Sequence, residues 1–239
     1  MKYIYGPVNS RRLGLSLGVS LTPHKTCSFN CVYCQLGLTH DPTAERREYL
    51  PVEEIFDELQ SWLSDYPRQA EELSYITLCG AGEPVLNSGI SRLIQKIKKT
   101  SRIPLAVITN ASLLNAPFLR EEILGADLIV PTLCAATEKV FQRINRPNQA
   151  VSLINIIDSL VELRQEFSGK IWIEVMLVKG FNDDLRQIKK LKEAIDKISP
   201  DRIHLNSPVR ATAEPEVKPV SSAKLKKIKA IFGEKCEII

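Results

Sequence analysis

Three cysteines lie close together in the N-terminal part of the chain, at Cys27, Cys31 and Cys34. Thiolates are soft ligands, and three of them in one short segment suit an iron–sulfur cluster or a zinc ion. The other three cysteines are scattered along the sequence, a distribution that favours metal binding over a disulfide framework. Three protein ligands leave one coordination position open to a small chelating molecule. The cysteine spacing therefore predicts a metal centre with an open site.

A second segment of interest reads Gly80-Ala81-Gly82-Glu83-Pro84 and directly follows a predicted strand. Glycines allow a ligand to approach the backbone closely. Glycines and proline also form ordinary turns between a strand and a helix. This segment by itself leaves both interpretations open.

Together, the two segments resemble the radical S-adenosylmethionine (SAM) superfamily. Its hallmark is Cys-x3-Cys-x2-Cys with an aromatic residue before the last cysteine, here Tyr33, and its Gly-Gly-Glu-Pro segment corresponds to residues 80–84. The resemblance implies a [4Fe-4S] cluster on the three cysteines, with SAM bound at the fourth iron and along the glycine-rich segment. It also implies reductive cleavage of SAM to methionine and a 5′-deoxyadenosyl radical that removes hydrogen from a substrate.

The resemblance runs over nearly the whole chain, to short iron–sulfur oxidoreductases related to the wyosine-forming tRNA enzymes. Four stretches carry it: YGPVNSRRLG at 5–14, CVYCQLG at 31–37, RINRP at 143–147 and LNSPVR at 205–210. The tRNA enzymes need a second cluster on additional cysteines, and this chain has no comparable N-terminal set. The resemblance therefore does not carry wyosine synthesis to this chain.

Polar residues near the predicted strand ends extend the expected SAM pocket. The resemblance places Asn110, Thr132 and Asn182 along it, although asparagine is also common in turns. Glu174 lies within a strongly apolar strand, where an ionised carboxylate needs a partner. We expect Glu174 to point into the interior of the fold, near SAM or substrate. A position at the sheet edge, or a salt bridge to a basic neighbour, is the alternative.

Two further cysteines and two arginines are candidates for contact with substrate. Where relatives tend to read Ser-Leu-Asp, this chain reads Thr-Leu-Cys, which ends at Cys134. Cys79 ends another predicted strand, and both thiols could act as hydrogen donor, covalent anchor or metal ligand, or they could simply pack. Arg143 and Arg210 lie in polar loops, where they could bind a phosphate or carboxylate or anchor loop carbonyls.

A sheet must position these residues, because nearly all of them follow predicted strands. Short β-branched and aliphatic runs predict six buried parallel strands, at residues 17–21, 75–79, 105–109, 128–132, 171–178 and 203–206. Amphipathic patterns predict helices at 52–65, at 88–99, after Ser152 and at 184–198. Right-handed strand–helix repeats give an α/β fold, either doubly wound or a partial (βα)6 TIM-like barrel, and the family resemblance favours the barrel. Both place ligands at the C-terminal strand ends.

Length and composition indicate one domain. A chain of 239 residues with 44% hydrophobic and 25% charged residues is typical of a single α/β unit. We expect a core at about 15–206 and a C-terminal loop and helix at 207–239. No apolar run is long enough for a membrane helix and no signal-peptide pattern opens the chain, so we expect a cytoplasmic protein without membrane contact.

The sequence leaves several functions open. The first is a radical SAM enzyme that acts on an unidentified substrate (an RNA base, a protein or a small molecule) and receives its electron from a reductant such as flavodoxin or ferredoxin. An RNA base fits the lysine-rich C-terminus, whereas activation of a glycyl-radical enzyme fits the compact length. The alternative of another class is a non-catalytic zinc-binding module that uses the three cysteines with His24 or His40.

Overall fold

The computed structural model describes residues 1–239. Eight strands form one sheet in chain order: β1 (Ile4–Ser10), β2 (Gly14–Val19), β3 (Tyr75–Leu78), β4 (Leu105–Thr109), β5 (Leu128–Pro131), β6 (Lys170–Met176), β7 (Arg202–Asn206) and β8 (Cys236–Ile238). β1 is antiparallel to β2, and all later neighbours are parallel. This architecture confirms the predicted partial TIM-like barrel, with the six predicted strands as β2 to β7.

The two outer strands were not predicted from the sequence. β1 contains Gly6, Pro7 and the polar pair Asn9 and Ser10, so it lacks the apolar run that marks a buried strand. β8 has three residues, of which only Cys236 is buried. Both strands form because they pair with a neighbour, which their own sequences do not signal.

Eight α-helices and one short 3-10 helix cover the sheet. They are α1 (Val52–Asp65), α2 (Pro67–Glu71), the 3-10 helix (Pro84–Leu86), α3 (Ile90–Thr100), α4 (Pro117–Glu121), α5 (Glu138–Ile144), α6 (Leu153–Glu166), α7 (Leu185–Ile198) and α8 (Ser222–Phe232). The Asp184 side chain caps α7 by accepting from the backbone N–H of Gln187 at 3.0 Å. None of the helices combines the length and apolarity that crossing a bilayer would need.

The core has two layers, because alternate residues of each strand face opposite sides of the sheet. The larger cluster of 60 buried residues lies between sheet and helices and includes Ile76, Val107 and Ile129. A smaller cluster occupies the other face, inside the barrel; its members are Leu13, Ala106, Leu128, Val130 and Trp172. This inner cluster fills part of the barrel interior with apolar side chains.

The turn between β1 and β2 contacts the opposite edge of the sheet. Arg11 donates to the carbonyl oxygen of Ile239 at 2.9 Å and to Asn206 Oδ1 at 3.1 Å. Its neighbour Arg12 forms an ion pair with Glu174 on β6. These contacts join the two edges across the open side of the partial barrel.

Candidate metal centre

The three cysteines lie in the loop between β2 and α1, which we call the cysteine loop (residues 25–43). Backbone hydrogen bonds hold this loop in place: Cys34 N donates to Cys31 O at 3.1 Å, and Val32 N donates to Ile144 O at 3.0 Å. Thr43 N donates to Cys27 O, also at 3.0 Å. The loop is therefore anchored to itself and to the end of α5.

Each of the three sulfur atoms receives a hydrogen bond from a nitrogen elsewhere in the chain. Asn110 Nδ2 lies 3.5 Å from Cys27 Sγ, and Asn145 Nδ2 lies 3.4 Å from Cys31 Sγ. Lys25 Nζ lies 3.1 Å from Cys34 Sγ. Donors of this kind stabilise thiolates and sulfur-bound metal, so the donor set fits a cluster held by three thiolates.

Burial gives these thiols a strong preference for the neutral form in the metal-free chain. It raises the pKa of Cys27 to about 12, and Glu83 and Cys31 nearby add to the effect. Burial likewise raises the pKa of Cys31 to about 12. Because metal ligands must be thiolates, binding would release protons and supply the compensating positive charge.

No three histidine, cysteine, aspartate or glutamate side chains converge closely enough to hold a single metal ion. A zinc site needs its ligands to meet around one ion, and His24 and His40 are both exposed. In a cubane cluster each cysteine binds a different iron, so the ligands need not meet at one point.

The glycine-rich segment, residues 80–84, packs directly against the cysteine loop. Lys25 N donates to Ala81 O at 2.6 Å, and Glu83 N donates to Thr26 O at 3.0 Å. A Cβ at Gly82 would overlap the carbonyl oxygen of Thr26. Gly82 is therefore required for the contact between the two segments, whether or not a ligand also approaches it.

Glu83 connects the ends of β3 and β4. Its carboxylate accepts hydrogen bonds from Thr109 Oγ1 at 2.6 Å, from Asn110 N at 2.7 Å and from Val85 N at 3.2 Å. Burial raises the pKa of Glu83 to about 7, although these three hydrogen bonds oppose the shift. Both oxygens are thus engaged inside the protein, and the carboxylate orders the site.

The other residues predicted to contact SAM lie in different surroundings. Asn110 is half-buried and also donates to Ser28 Oγ at 2.9 Å, so it stays beside the cysteine loop. Thr132 is half-buried at the end of β5 and pairs with Glu174 through an isolated bridge. Asn182 is buried, and both of its amide hydrogens bond to carbonyl oxygens, of Cys134 at 2.8 Å and of Met176 at 2.9 Å. Asn182 therefore has no free donor and holds its loop against the end of β6.

Glu174 is buried and has its counter-charge within the chain. Arg12 forms an ion pair with one carboxylate oxygen, and Asn206 Nδ2 donates to the other at 3.0 Å. The salt bridge that the sequence left open as an alternative is thus present. Its basic partner comes from the β1–β2 turn, 162 positions away in the chain.

The two candidate thiols each contact a tyrosine. Tyr5 Oη lies 2.7 Å from Cys79 Sγ, and Tyr33 Oη lies 3.3 Å from Cys134 Sγ. Burial raises the pKa of Cys79 and raises that of Cys134 to about 12. Both thiols are therefore neutral at physiological pH.

The two candidate arginines differ in position. Arg143 lies in α5 and not in a loop as predicted, and it stacks on the ring of Phe181, with 4.3 Å between the guanidinium carbon and the ring centre. Arg210 donates to Gln35 Oε1 at 3.2 Å. Of the two, Arg210 is the one that is hydrogen-bonded to the cysteine loop.

Sequence reasoning did not single out two of the residues that contact the sulfurs. Asn145 contacts Cys31 and also donates to Tyr33 Oη at 3.2 Å. It lies inside the RINRP stretch, where the arginines drew attention. Lys25 comes two residues before Cys27, and this closeness in the sequence is the one feature that could have indicated its role.

Comparisons with known proteins identify the family of the chain. The model of the radical SAM superfamily matches residues 21–192, a span that contains the three cysteines and the glycine-rich segment. A protein of Brachyspira hyodysenteriae named GTPase Obg is 38% identical over 99% of this chain, but the chain spans only 34% of that protein. The UPF0026 protein MJ1312 of Methanocaldococcus jannaschii is 35% identical, and the match covers 98% of this chain and 72% of that protein.

Two solved structures share the fold at low sequence identity. A radical SAM methyltransferase from Sphaerobacter thermophilus has a TM-score of 0.73 at 17% identity, over 94% of this chain and 65% of its own. A structure of TYW1 with a bound lysine-pyruvate adduct has a TM-score of 0.67 at 17% identity, over 92% of this chain and 74% of its own. The family model confirms the resemblance drawn from the sequence and the assignment to an enzyme superfamily: the chain belongs to the radical SAM superfamily and, by its identity to MJ1312, to the UPF0026 protein family.

Proposed function

We propose that the chain binds one [4Fe-4S] cluster through Cys27, Cys31 and Cys34 and cleaves SAM reductively. The observation that carries this proposal is the meeting of three features at one end of the barrel. The cysteine loop, the glycine-rich segment and the end of β4 are joined there by hydrogen bonds. Family membership supports the same chemistry.

The bound cofactors would supply an electron to the SAM sulfonium and produce a 5′-deoxyadenosyl radical for hydrogen abstraction from substrate. The chain's own residues would hold and protect them. Asn110, Asn145 and Lys25 donate to the three cysteine sulfurs that would bind the cluster, and the glycine-rich segment beside them would contact the methionyl part of SAM. The five apolar side chains inside the barrel exclude water from the region below the site.

The proposed substrate region, inside the barrel, is lined by both charged and neutral polar side chains. Arg12, Glu174 and Asn206 form a hydrogen-bonded polar group there, and Cys79 contributes a neutral thiol beside Tyr5. Polar groups fixed in this way orient a ligand and give specificity. We propose that substrate binds over these residues, with the electron supplied by flavodoxin, ferredoxin or a similar reductant.

The test is anaerobic reconstitution with iron and sulfide, followed by reduction with dithionite, addition of SAM and measurement of 5′-deoxyadenosine. The intact chain should form it, and Cys31→Ala, with only two cluster ligands, should not. Tight binding of zinc with neither cluster formation nor SAM binding would refute the proposal. Substrates, an RNA base among them, can then be screened by transfer of deuterium into 5′-deoxyadenosine.

A further inference from the structure

Three exposed apolar side chains lie in the cysteine loop or in the segment hydrogen-bonded to it. Leu36 and Leu38 follow Cys34 and are 38% and 40% exposed, and Val209 is 66% exposed. A hydrogen bond of 3.2 Å joins Arg210, the neighbour of Val209, to Gln35, the neighbour of Leu36. We call Leu36, Leu38 and Val209 the apolar patch.

The apolar patch is held by the structure of the loop. Gly37 adopts a φ of +87°, which favours glycine, and its N–H donates to Cys34 O at 3.3 Å. On the other side, Thr39 N donates to Asn30 Oδ1 at 2.9 Å. A turn anchored at both ends thus presents two leucines to solvent. Grouped apolar side chains on an anchored surface loop are typical of an interaction site.

The surroundings of the apolar patch favour an acidic partner. Between residues 22 and 44 the only acidic side chain is Asp41, whereas Lys25 and Arg210 contribute positive charge at the patch. The segment that follows has the reverse balance, since residues 45–72 contain nine acidic and three basic side chains. Glu214, which lies against the cysteine loop, is paired with Arg146, and long-range electrostatics would steer a negatively charged protein away from the acidic segment.

The position of the apolar patch next to Cys34 indicates which kind of acidic protein would bind there. Cys34, the last of the proposed cluster ligands, lies two residues before Leu36. Electron transfer weakens steeply with distance, so a carrier must dock close to a cluster ligand. A surface next to Cys34 meets this requirement.

We propose that the apolar patch and Arg210 form the docking site of an acidic one-electron carrier protein of the flavodoxin class. The carrier loses one electron, the cluster gains it, and no atom is transferred. This inference rests on the proposed function, because it assumes a cluster at Cys34. It adds the surface through which the electron arrives.

The test compares reduction by a protein with reduction by a small molecule. The variant Leu36→Ser/Leu38→Ser removes two patch side chains, and Phe118→Ser/Ile154→Ser removes two side chains that are each 59% exposed elsewhere. Bleaching of the cluster's visible absorbance is followed with dithionite and, separately, with a reduced acidic flavodoxin. Far-UV circular dichroism and iron content verify that each variant is folded and loaded.

The patch variant should react with dithionite at the wild-type rate but with flavodoxin at a rate lower by about tenfold or more at subsaturating flavodoxin, a factor equal to about 1.4 kcal/mol in affinity. The control variant should match the wild type with both reductants. In a separate binding titration, Arg210→Glu should weaken flavodoxin binding about tenfold, whereas Arg102→Glu, at an exposed site away from the patch, should not. Added salt should weaken the wild-type affinity and reduce this difference.

The proposal would be overturned if the patch variant bound flavodoxin as tightly as the wild type and was reduced by it at the same rate. It would also be overturned by a patch variant that keeps its flavodoxin affinity but loses affinity for bulk tRNA, because the surface would then serve a nucleic acid. Failure of the proposed function gives a different result, since a loaded chain that binds flavodoxin through the patch would still form no 5′-deoxyadenosine.

Discussion

The nitrogen atoms around the three sulfurs determine how easily a cluster at this site would be reduced. Hydrogen bonds to cluster sulfurs stabilise the more negative, reduced state and so raise the reduction potential. Asn145 provides such a bond to Cys31 at 3.4 Å. In Asn145→Ala we expect the midpoint potential of the reconstituted protein to fall by about 40 mV, equivalent to about 1 kcal/mol for one electron. A redox titration followed by electron paramagnetic resonance measures the change.

Asn148→Ala is the matched control for this prediction. Asn148 comes from the same loop, and its side chain bonds to Pro42 O at 2.6 Å rather than to a sulfur. Its substitution should leave the potential unchanged. Equal potentials in Asn145→Ala and the wild type would show that Asn145 has no electronic role and serves only to anchor the loop.

His204 couples the stability of the barrel to pH. It is buried on β7, its Nδ1 has no hydrogen-bond partner, and it lies edge-on to Trp172 at 5.3 Å. Burial lowers the pKa of His204, with Arg12 and Arg202 lowering it further and Glu237 and Glu174 opposing the shift.

In the unfolded chain, His204 becomes protonated below about pH 6.5. In the folded chain it stays neutral to lower pH. Because the unfolded state then binds more protons, the contribution of His204 makes the free energy of unfolding decrease as pH falls below about 6.5. Denaturant titrations of the metal-free chain should therefore show a weaker acid-side loss of stability in His204→Phe than in the wild type.

The comparison between variant and wild type isolates His204 from other groups. Glu83 also titrates in this pH range, but its raised pKa has the opposite effect on stability: the free energy of unfolding decreases as pH rises towards about 7. This contribution is the same in His204→Phe and in the wild type. His24→Gln changes an exposed histidine and should keep the wild-type pH dependence. An unchanged pH dependence in His204→Phe would contradict the prediction.

At the scale of elements, the β1–β2 turn is joined to β6 by one ion pair across the barrel. Glu174 is 6% exposed in its side chain and Arg12 is 27% exposed. Arg12→Met leaves the buried carboxylate without its counter-charge, and we expect a loss of about 3 kcal/mol in the free energy of unfolding. The double variant Arg12→Met/Glu174→Met removes both charges and should recover most of that loss.

Denaturant unfolding of the two single variants, the double variant and the wild type provides the interaction energy of the pair. Arg11→Met is the control, because Arg11 is exposed and makes only hydrogen bonds to Asn206 and Ile239. Its loss should be below about 1 kcal/mol. Additive effects of the Arg12 and Glu174 substitutions would show that the pair does not couple the turn to β6.

These elements also show what sequence reasoning could reach. The strands β2 to β7 and α1, α3, α6 and α7 follow from apolar periodicity, because each buries a face that its own residues define. β1 and β8 depend on pairing, and the partner of Glu174 depends on a contact over 162 positions. The cysteines are visible in the sequence because their spacing is local. Asn145 reaches Cys31 from 114 positions away, so only the folded chain identifies it.

At the scale of the whole molecule, we propose that residues 1–239 form one domain, including the C-terminal segment from 207 onwards. β8 pairs with β7, and α8 contributes Leu225, Ile228 and Phe232 to the same core cluster that contains Trp62 of α1. The N-terminal and C-terminal parts of the chain therefore share one continuous core. A continuous core favours cooperative unfolding.

Phe232→Ala tests this proposal because Phe232 and Trp62 are far apart in the sequence and belong to different helices. Truncation of the buried ring should cost about 3–5 kcal/mol. In a Trp172→Phe background, Trp62 is the only tryptophan, so its fluorescence reports the unfolding of α1. If the chain is one cooperative unit, the Phe232→Ala substitution should shift the Trp62 transition and the far-UV circular dichroism transition to the same lower denaturant concentration. Phe118→Ala, at a side chain 59% exposed, should shift neither. A Trp62 transition that stays in place would instead make the C-terminal segment a separately unfolding unit, docked on a barrel that is stable without it.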